Sequence, residues 1–390
     1  MGILAANIVA FGQPFAAYMY PASFLSGHDA LADQLWIAQF VLIDGKMRGL
    51  FTLLFGAGLY LFMERAWARG STRALQVRRL LFLLLFGMVH FFFIWRGDIL
   101  TYYALAGLIA LLFVKWSARA QLKIGLAAYF AGALLFAASM TPLHFVAETP
   151  FGERTEMREF RAGLEDAKQW AIDDDALETR LTQQGDYAAL TAHRFAVHGF
   201  EQLTNFLLFA PETLPLMLIG MALYRLGLFS GGFDPRRQRL WGWVGLALGA
   251  GLSWLIALWA AGTGFAYYAT LAAFIGLSAI PRLLMTLGLA ALLALYGARA
   301  RGFLSARIAA AGRAAFSNYL GTSIAMLFVF HGWAAGLFGR LERPELYLIV
   351  ALAWAAMLLW SKPWLERFRY GPLEWLWRCL TYGRIFPLRR

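Results

Sequence analysis

Several ionisable side chains lie inside long apolar stretches of the sequence, and these residues are the first candidates for chemistry. An ionised side chain at the centre of a membrane span costs about 2.5–3.5 kcal/mol on insertion scales, so such residues are paired or line a cavity. Asp44, Lys46 and Arg48 fall in one such stretch, and a four-residue spacing places Asp44 and Arg48 on one helix face. We expect an ion pair there, which is either structural or, with Lys46, part of a substrate-binding site.

A second group surrounds a short turn at Arg96-Gly97. His90 and Tyr102 are equally distant from Arg96 in sequence, so antiparallel helices would place them at one depth, with Asp98 nearer the mouth. A histidine oriented by a carboxylate is the usual arrangement of a general base. The sequence therefore predicts one polar pocket with His90 and Asp98 as catalytic candidates and Tyr102 as a binding residue. In the alternative, Asp98 caps the following helix and His90 bonds to the backbone.

Glu212 is the third candidate, because it lies between Pro211 and Pro215 within an apolar segment. Proline breaks or kinks a helix, and irregular backbone at membrane depth is tolerated only against protein or a water-filled cavity. We predict a helix break beside a cavity, with Glu212 binding substrate. His331 is a further candidate binding residue, although a single polar side chain in a span more often packs helices together.

Metal-binding and nucleotide-binding motifs are not evident in the sequence. His193 and His198 are five residues apart, which poorly matches a pair on one helix face, so we predict no metal site. No phosphate loop, GxSxG or HExxH motif occurs.

The elements that must position these residues follow from composition. Of 390 residues, 60% are hydrophobic and only 15% are charged, against about 45–50% and 25% in soluble domains. This excludes a soluble fold, and the single cysteine, Cys379, excludes an intrachain disulfide. The sequence predicts an all-α, polytopic transmembrane helix bundle with about ten spans. They run roughly over 2–20, 38–62, 79–95, 99–114, 122–141, 203–227, 241–261, 267–297, 315–337 and 345–361, the eighth being broken at Pro281-Arg282.

The distribution of charge predicts the topology. Every second loop and the C-terminal tail together hold 23 of the 35 Lys and Arg residues, and such loops are cytoplasmic by the positive-inside rule. Both termini are therefore predicted to be cytoplasmic, and the net charge of +12 needs no nucleic-acid partner. The domains are expected to be a five-span unit (1–141), an extracytoplasmic polar helical cap (142–202) and a second five-span unit with a cytoplasmic amphipathic tail (203–390). The cap is either a solvated surface or a lid over an outward-facing cavity.

Several sequence blocks resemble those of the YeiB-like family, an inner-membrane family of unknown function. They are GRAAFSNYL at 312–320, RYGPLEWLWR at 369–378, GMALYR at 220–225, DGKMR at 44–48, LFGAG at 54–58 and WRGDIL at 95–100. The resemblance covers essentially the whole chain, and the second of these blocks is the most specific.

That family is distantly similar to transmembrane acyltransferases, which use acyl-CoA or an acyl group passed across the membrane to modify sugars outside. The resemblance implies a catalytic histidine on the non-cytoplasmic side after the first span, which by position is His28, although the neighbouring residues match poorly. It also implies a bacterial inner-membrane location, acyl-CoA as the donor, and a sugar or lipid as the acceptor.

Three functions are consistent with these observations. The leading one is an acyltransferase-like enzyme in which His90 or His28 is the base, Asp98 or Asp44 orients it, and Arg48 binds an anionic group. The second is a transporter or lipid-handling protein with its coupling site at Glu212. The third is a non-catalytic scaffold or receptor that binds through the 142–202 cap. An arginine-lined cytoplasmic vestibule that meets the outer cavity would favour the use of acyl-CoA.

Overall fold

The computed structural model describes residues 1–27, 29–297 and 299–390, and its regular elements within these ranges are helical. This confirms the prediction of an all-α bundle. The sixteen α-helices are α1 (Gly2–Gly12), α2 (Ala30–Leu42), α3 (Lys46–Trp67), α4 (Arg73–Val89), α5 (Leu100–Ala110), α6 (Ala118–Glu148), α7 (Arg158–Gln184), α8 (Tyr187–Val197), α9 (Glu201–Arg225), α10 (Pro235–Gly262), α11 (Tyr267–Leu271), α12 (Ala279–Gly297), α13 (Phe303–Arg313), α14 (Ala315–Phe330), α15 (Arg343–Arg367) and α16 (Pro372–Tyr382).

Six helices in the described ranges are long and apolar enough to cross a membrane, and four shorter apolar helices accompany them. The chain is thus a multi-pass membrane protein; the ten-span count and the cytoplasmic termini stay predictions. We call the end of the bundle that carries α7 and α8 the cap side, and the opposite end, with Arg79 and Arg313, the basic side.

Helix α9 is the central helix of the bundle. In its apolar stretch 61% of the residues are buried, against 22% in the peripheral helices α10 and α15. Glycines bring its backbone close to its neighbours: a Cβ on Gly56 of α3 would lie 2.2 Å from the carbonyl oxygen of Met217, and one on Gly132 of α6 would lie 2.7 Å from that of Pro211. These close approaches fix the position of every side chain that α9 presents to the interior.

The predicted break at Pro211 and Pro215 is wrong, because α9 is one continuous helix from Glu201 to Arg225. Each proline removes only one backbone hydrogen bond, and the neighbouring helices cover this stretch closely enough to hold it helical. The predicted break near Pro281 lies slightly earlier, where α12 begins at Ala279. Pro281 is thus in the first turn of α12, where a missing N–H costs nothing.

Two wide, π-helical turns interrupt the bundle, at His90–Ile94 and Ala272–Leu277. In the first, the amide of Trp95 donates to the carbonyl of His90 (2.7 Å). Turns of this kind free carbonyl groups and are frequent at functional sites.

The two blocks 312–320 and 369–378 meet on the basic side. Glu374 of α16 accepts hydrogen bonds from the amides of Phe316 (2.7 Å) and Ser317 (3.1 Å) and from the Ser317 hydroxyl (2.5 Å). A carboxylate at a helix N-terminus satisfies its free amides and its dipole. The contact between the two blocks therefore caps α14 and determines where this helix begins.

Candidate functional site

A cavity of about 320 Å³ opens among the helices toward the cap side. We call it the cap-side cavity. Its polar wall is formed by Tyr18, Arg48, Asp98, Tyr102, Glu212 and Arg282, together with Arg96, Glu201 and Asn205 near the cap. Six of these nine residues come from α3, α5, α9 and α12, so the cavity is defined by helix packing and not by one segment.

Glu212 is the centre of this polar wall. Its Oε2 accepts from Arg282 Nη1 (2.6 Å) and from Arg48 Nη2 (2.7 Å), and the Glu212 side chain is 3% exposed. Within the described residues, Glu212 Oε1 is buried and accepts no hydrogen bond. The trio therefore has two cations for one carboxylate and retains a free acceptor, which suits an anionic ligand with a hydroxyl group.

Arg282 is held in place by the second wide turn. Its Nη2 donates to the carbonyl of Phe274 and to the Ser278 hydroxyl, both at 2.6 Å. Gly45 gives it room, because a Cβ there would lie 2.2 Å from Arg282 Nε, and the φ of Gly45 is +71°. The sequence placed Arg282 inside a predicted span, but we assigned it no role. Its charge within an apolar segment was the feature that could have identified it as a site residue.

The predicted Asp44–Arg48 ion pair is wrong. Asp44 Oδ1 accepts from Gln39 (3.0 Å) and Tyr18 (3.1 Å), while Arg48 binds Glu212. The physical reason is that the chain turns at Gly45 between α2 and α3, so Asp44 precedes the helix that carries Arg48. Lys46 is also buried and donates to the carbonyl of Phe40 (2.5 Å).

His90 and Asp98 form the predicted pair, with His90 Nδ1 2.9 Å from Asp98 Oδ1. Asp98 Oδ2 also accepts from the amide of Thr101 (2.8 Å), so Asp98 caps α5 as well. Asp98 and Tyr102 line the cap-side cavity, whereas His90 is fully buried behind Asp98. The ring of His90 packs between Trp95 (centroids 6.2 Å apart) and Tyr319 (5.2 Å).

Another candidate histidine, His331, lies elsewhere. His331 lines a separate small cavity of about 50 Å³ beneath the cap, with Arg96 and Arg194. His28 lies outside the described residues. The structure thus groups Arg48, Glu212, Asp98 and Tyr102 at one cavity and separates His331 from them.

A second cavity of about 510 Å³ lies on the basic side and is mainly apolar. We call it the basic-side cavity. Arg79 and Arg313 are among its lining residues, and Tyr319 is on its wall. The two cavities share Ile3, Asn7 and Ile99 as lining residues. These three residues thus lie at the boundary between the two cavities. Apolar surface predominates in both, and the cap-side cavity differs in the charged and polar groups gathered on one wall.

The roof of the cap-side cavity is an ionic cluster that the sequence did not reveal, because its members come from four elements. Arg96 contacts Asp174 (3.2 Å), Glu178 (3.7 Å) and Glu201 (2.8 Å). His193 Nε2 lies 2.8 Å from Asp174 Oδ1, and His198 Nδ1 lies 2.8 Å from Glu201 Oε2.

These contacts shift the pKa values of the cap residues. Burial by itself would raise the pKa of Asp174, but its contacts with His198 and His193 hold that pKa well below its ordinary value. Burial would likewise lower the pKa of His198, and its contacts with Asp174 and Glu201 instead raise the pKa of His198 to about 9. The carboxylates and the positively charged groups of the cluster therefore stabilise one another's ionised forms.

Three proteins are similar to the chain over most of its length. "Uncharacterized protein YeiB" of Escherichia coli (strain K12) is 32% identical, over 99% of this chain and 94% of its own. "Uncharacterized protein YxaH" of Bacillus subtilis (strain 168) is 31% identical, over 100% and 93%. A 39.9 kDa protein of Bacillus acidopullulyticus is 27% identical, over 89% and 82%. A family described as "Protein of unknown function (DUF418)" matches residues 223–384. No solved structure matches the chain.

Proposed function

Because the chain belongs to the family that contains YeiB and YxaH, whose names give no activity, we propose a function from the geometry of its cavities. The protein is a bacterial inner-membrane enzyme that transfers an acyl group from a thioester donor, such as acyl-CoA, to a hydroxyl group of an extracytoplasmic sugar or lipid. The donor enters from the basic side and the acceptor from the cap side.

The observation that carries this proposal is the pair of cavities that meet at Ile3, Asn7 and Ile99. The apolar basic-side cavity suits an acyl chain, and Arg79 and Arg313 on its wall suit the phosphates of a nucleotide-like carrier. The polar wall of the cap-side cavity suits a hydroxylated acceptor. An acyl group at the boundary would be accessible from both cavities without crossing lipid.

The chemistry of this step assigns a role to each polar group. The acceptor hydroxyl attacks the thioester carbonyl, so that a C–O bond forms, the C–S bond breaks and the carrier leaves as a thiol. His90 takes the hydroxyl proton through Nε2 and returns it to the thiolate, while Asp98 holds Nδ1. Trp95 or Tyr319 must move for His90 to reach the acceptor. Glu212 Oε1 and Arg48 orient the acceptor.

The test uses the full chain in liposomes of bacterial phospholipid, with acetyl-CoA or palmitoyl-CoA as donor and glucosamine as acceptor. Thiol release and acylated product are measured together. We expect turnover to fall about 10²–10⁴-fold in His90→Gln and Asp98→Asn, and to persist in His144→Gln, whose histidine pairs with Glu148 outside both cavities. No thiol release above protein-free liposomes with either donor would contradict the proposal.

Transport is the second candidate, and the interruption between α11 and α12 favours it. Helices broken at membrane depth often carry the binding site of a transporter, and here the wide turn Ala272–Leu277 holds Arg282 against Glu212. Movement of an anionic lipid between leaflets, with the lipid chemically intact and with loss of movement in Glu212→Gln, would support transport over acyl transfer.

A further inference from the structure

The cap contains a group of side chains whose chemistry is that of a metal site and that the acyl-transfer proposal does not use. Asp174 of α7, His193 of α8 and His198 after α8 each present one ligand atom, and these three atoms lie within 4.8 Å of one another. Glu178, one turn after Asp174 on α7, adds a carboxylate oxygen 3.6 Å from His198 Nε2. All four residues are outside the predicted spans.

Distances within the group match tetrahedral coordination. A zinc ion with ligands at about 2.0–2.2 Å places neighbouring ligand atoms about 3.3 Å apart. His193 Nε2 is 2.8 Å from Asp174 Oδ1, and His198 Nε2 is 3.1 Å from Asp174 Oδ2. Small side-chain movements would therefore complete a two-histidine, two-carboxylate set.

Two of the ligand atoms make no hydrogen bond. Among the described residues, His198 Nε2 and Glu178 Oε1 are buried without one, and the His198 side chain is 3% exposed. Charged groups lie close to both atoms: Asp174 Oδ2 is 3.1 Å from His198 Nε2, and Arg96 Nη1 is 3.7 Å from Glu178 Oε1. Buried polar atoms are almost always hydrogen-bonded, so these two atoms retain the capacity to bind a cation.

The outer contacts of His198 are those of a metal ligand. When a histidine binds a metal through one ring nitrogen, the other usually bonds to a carboxylate, which fixes the ring orientation. His198 Nδ1 lies 2.8 Å from Glu201 Oε2, and Arg96 Nε donates to the same oxygen (2.8 Å). Arg96 thus contacts Glu201, Glu178 and Asp174 Oδ2, whereas Asp174 Oδ1 faces His193.

We propose that Asp174, Glu178, His193 and His198 bind one divalent transition-metal ion, with Zn²⁺ as the ion that this set of two imidazoles and two carboxylates suits best. The ion joins α7 to the segment between α8 and α9. Because Arg96 and Glu201 also line the cap-side cavity, metal binding fixes the roof of that cavity. This site does not depend on the proposed reaction.

Zinc alone is the probe. The full chain in detergent is stripped with a chelator, dialysed against micromolar Zn²⁺, passed through gel filtration and assayed for retained metal. We expect one zinc per chain in the unmodified protein, and at least a tenfold weaker affinity in His193→Gln, whose histidine is more exposed than Asp174 and His198. Asp173→Asn, next to the cluster but exposed, should retain zinc fully.

Cobalt(II) gives a second readout that does not depend on a variant. Bound at this site, it should give the intense visible absorption of tetrahedral coordination, and zinc should displace it. Absence of retained zinc in the unmodified protein, or equal retention by the protein and His193→Gln, would overturn the proposal. A weak, octahedral cobalt spectrum would overturn it too.

Discussion

The cavity and the cap bury charge in opposite ways. In the cap-side cavity one carboxylate, Glu212, lies between two guanidinium groups, Arg48 and Arg282. In the cap one guanidinium group, Arg96, lies among three carboxylates, Asp174, Glu178 and Glu201. Among the guanidinium and carboxylate groups in contact, the first therefore has an excess of positive charge and the second an excess of negative charge. The difference teaches that the cavity wall suits an anion whereas the cap suits a cation, with Arg96 and Glu201 lining the boundary.

The two networks also differ in how many partners share each charge, which sets how much one substitution costs. Glu212 is the carboxylate that both Arg48 and Arg282 contact, so its removal leaves two buried guanidinium groups without it. In the cap, Arg96 contacts three carboxylates, so the removal of one leaves two. The following changes test that contrast, from the largest expected effect to the smallest.

Glu212→Gln should lower the free energy of unfolding by about 3–5 kcal/mol, because it leaves two buried guanidinium groups without their carboxylate. The measurement is equilibrium unfolding in detergent. Glu165→Gln, on an exposed face of α7, should change stability by less than about 0.5 kcal/mol. A Glu212→Gln protein as stable as this control would show that the two arginines have other means of neutralisation.

Gly56→Ala should lower the free energy of unfolding by about 1–3 kcal/mol. The added Cβ would lie 2.2 Å from the Met217 carbonyl oxygen and would push α3, with Arg48, away from α9. Gly58→Ala, two residues further along the same helix, meets nothing within 4 Å and is the matched control. In the cap, Gly163→Ala is equally unobstructed and should be neutral or stabilising through helix propensity. Equal stability of the Gly56→Ala and Gly58→Ala proteins would contradict the close approach of α3 and α9.

Asp174→Asn should lower the free energy of unfolding by about 1–2 kcal/mol, measured by equilibrium unfolding in detergent with a chelator present. It removes the charge that His193, His198 and Arg96 contact, yet Arg96 keeps Glu178 and Glu201. Asp173→Asn, its exposed neighbour, provides the baseline. A loss of unfolding free energy as large as that of Glu212→Gln would contradict the expected difference between the two networks.

The smallest expected value is a coupling energy. A double-mutant cycle of Asp44→Asn with Arg48→Gln should give a coupling below about 0.5 kcal/mol, because the two side chains bind different partners. The matching cycle of Glu212→Gln with Arg48→Gln should give a clearly larger coupling. Coupling of Asp44 to Arg48 as strong as that of Glu212 to Arg48 would restore the ion pair that the spacing suggested.

The sequence by itself determined the class of the molecule and several of its important side chains. Composition and the length of the apolar stretches were enough to predict an all-α membrane protein. Within a bilayer every backbone polar group must be hydrogen-bonded inside the protein, and long apolar helices satisfy this requirement. The cost of buried charge singled out Glu212, Arg48 and Asp98, and the short turn at Arg96-Gly97 correctly brought His90 to Asp98. These inferences are local: each depends on one residue in its segment or on a few residues of separation.

Only the tertiary structure decided which charge meets which. Glu212 binds Arg48, 164 residues before it, and Arg282, 70 residues after it. Helical periodicity specifies the face on which a side chain lies but not the helix that faces it, so the neighbouring Asp44 was the natural but wrong partner for Arg48. The cap cluster has the same origin: His193 and His198 do not share a helix face, and the chain turn after α8, together with α7, brings their nitrogens to Asp174.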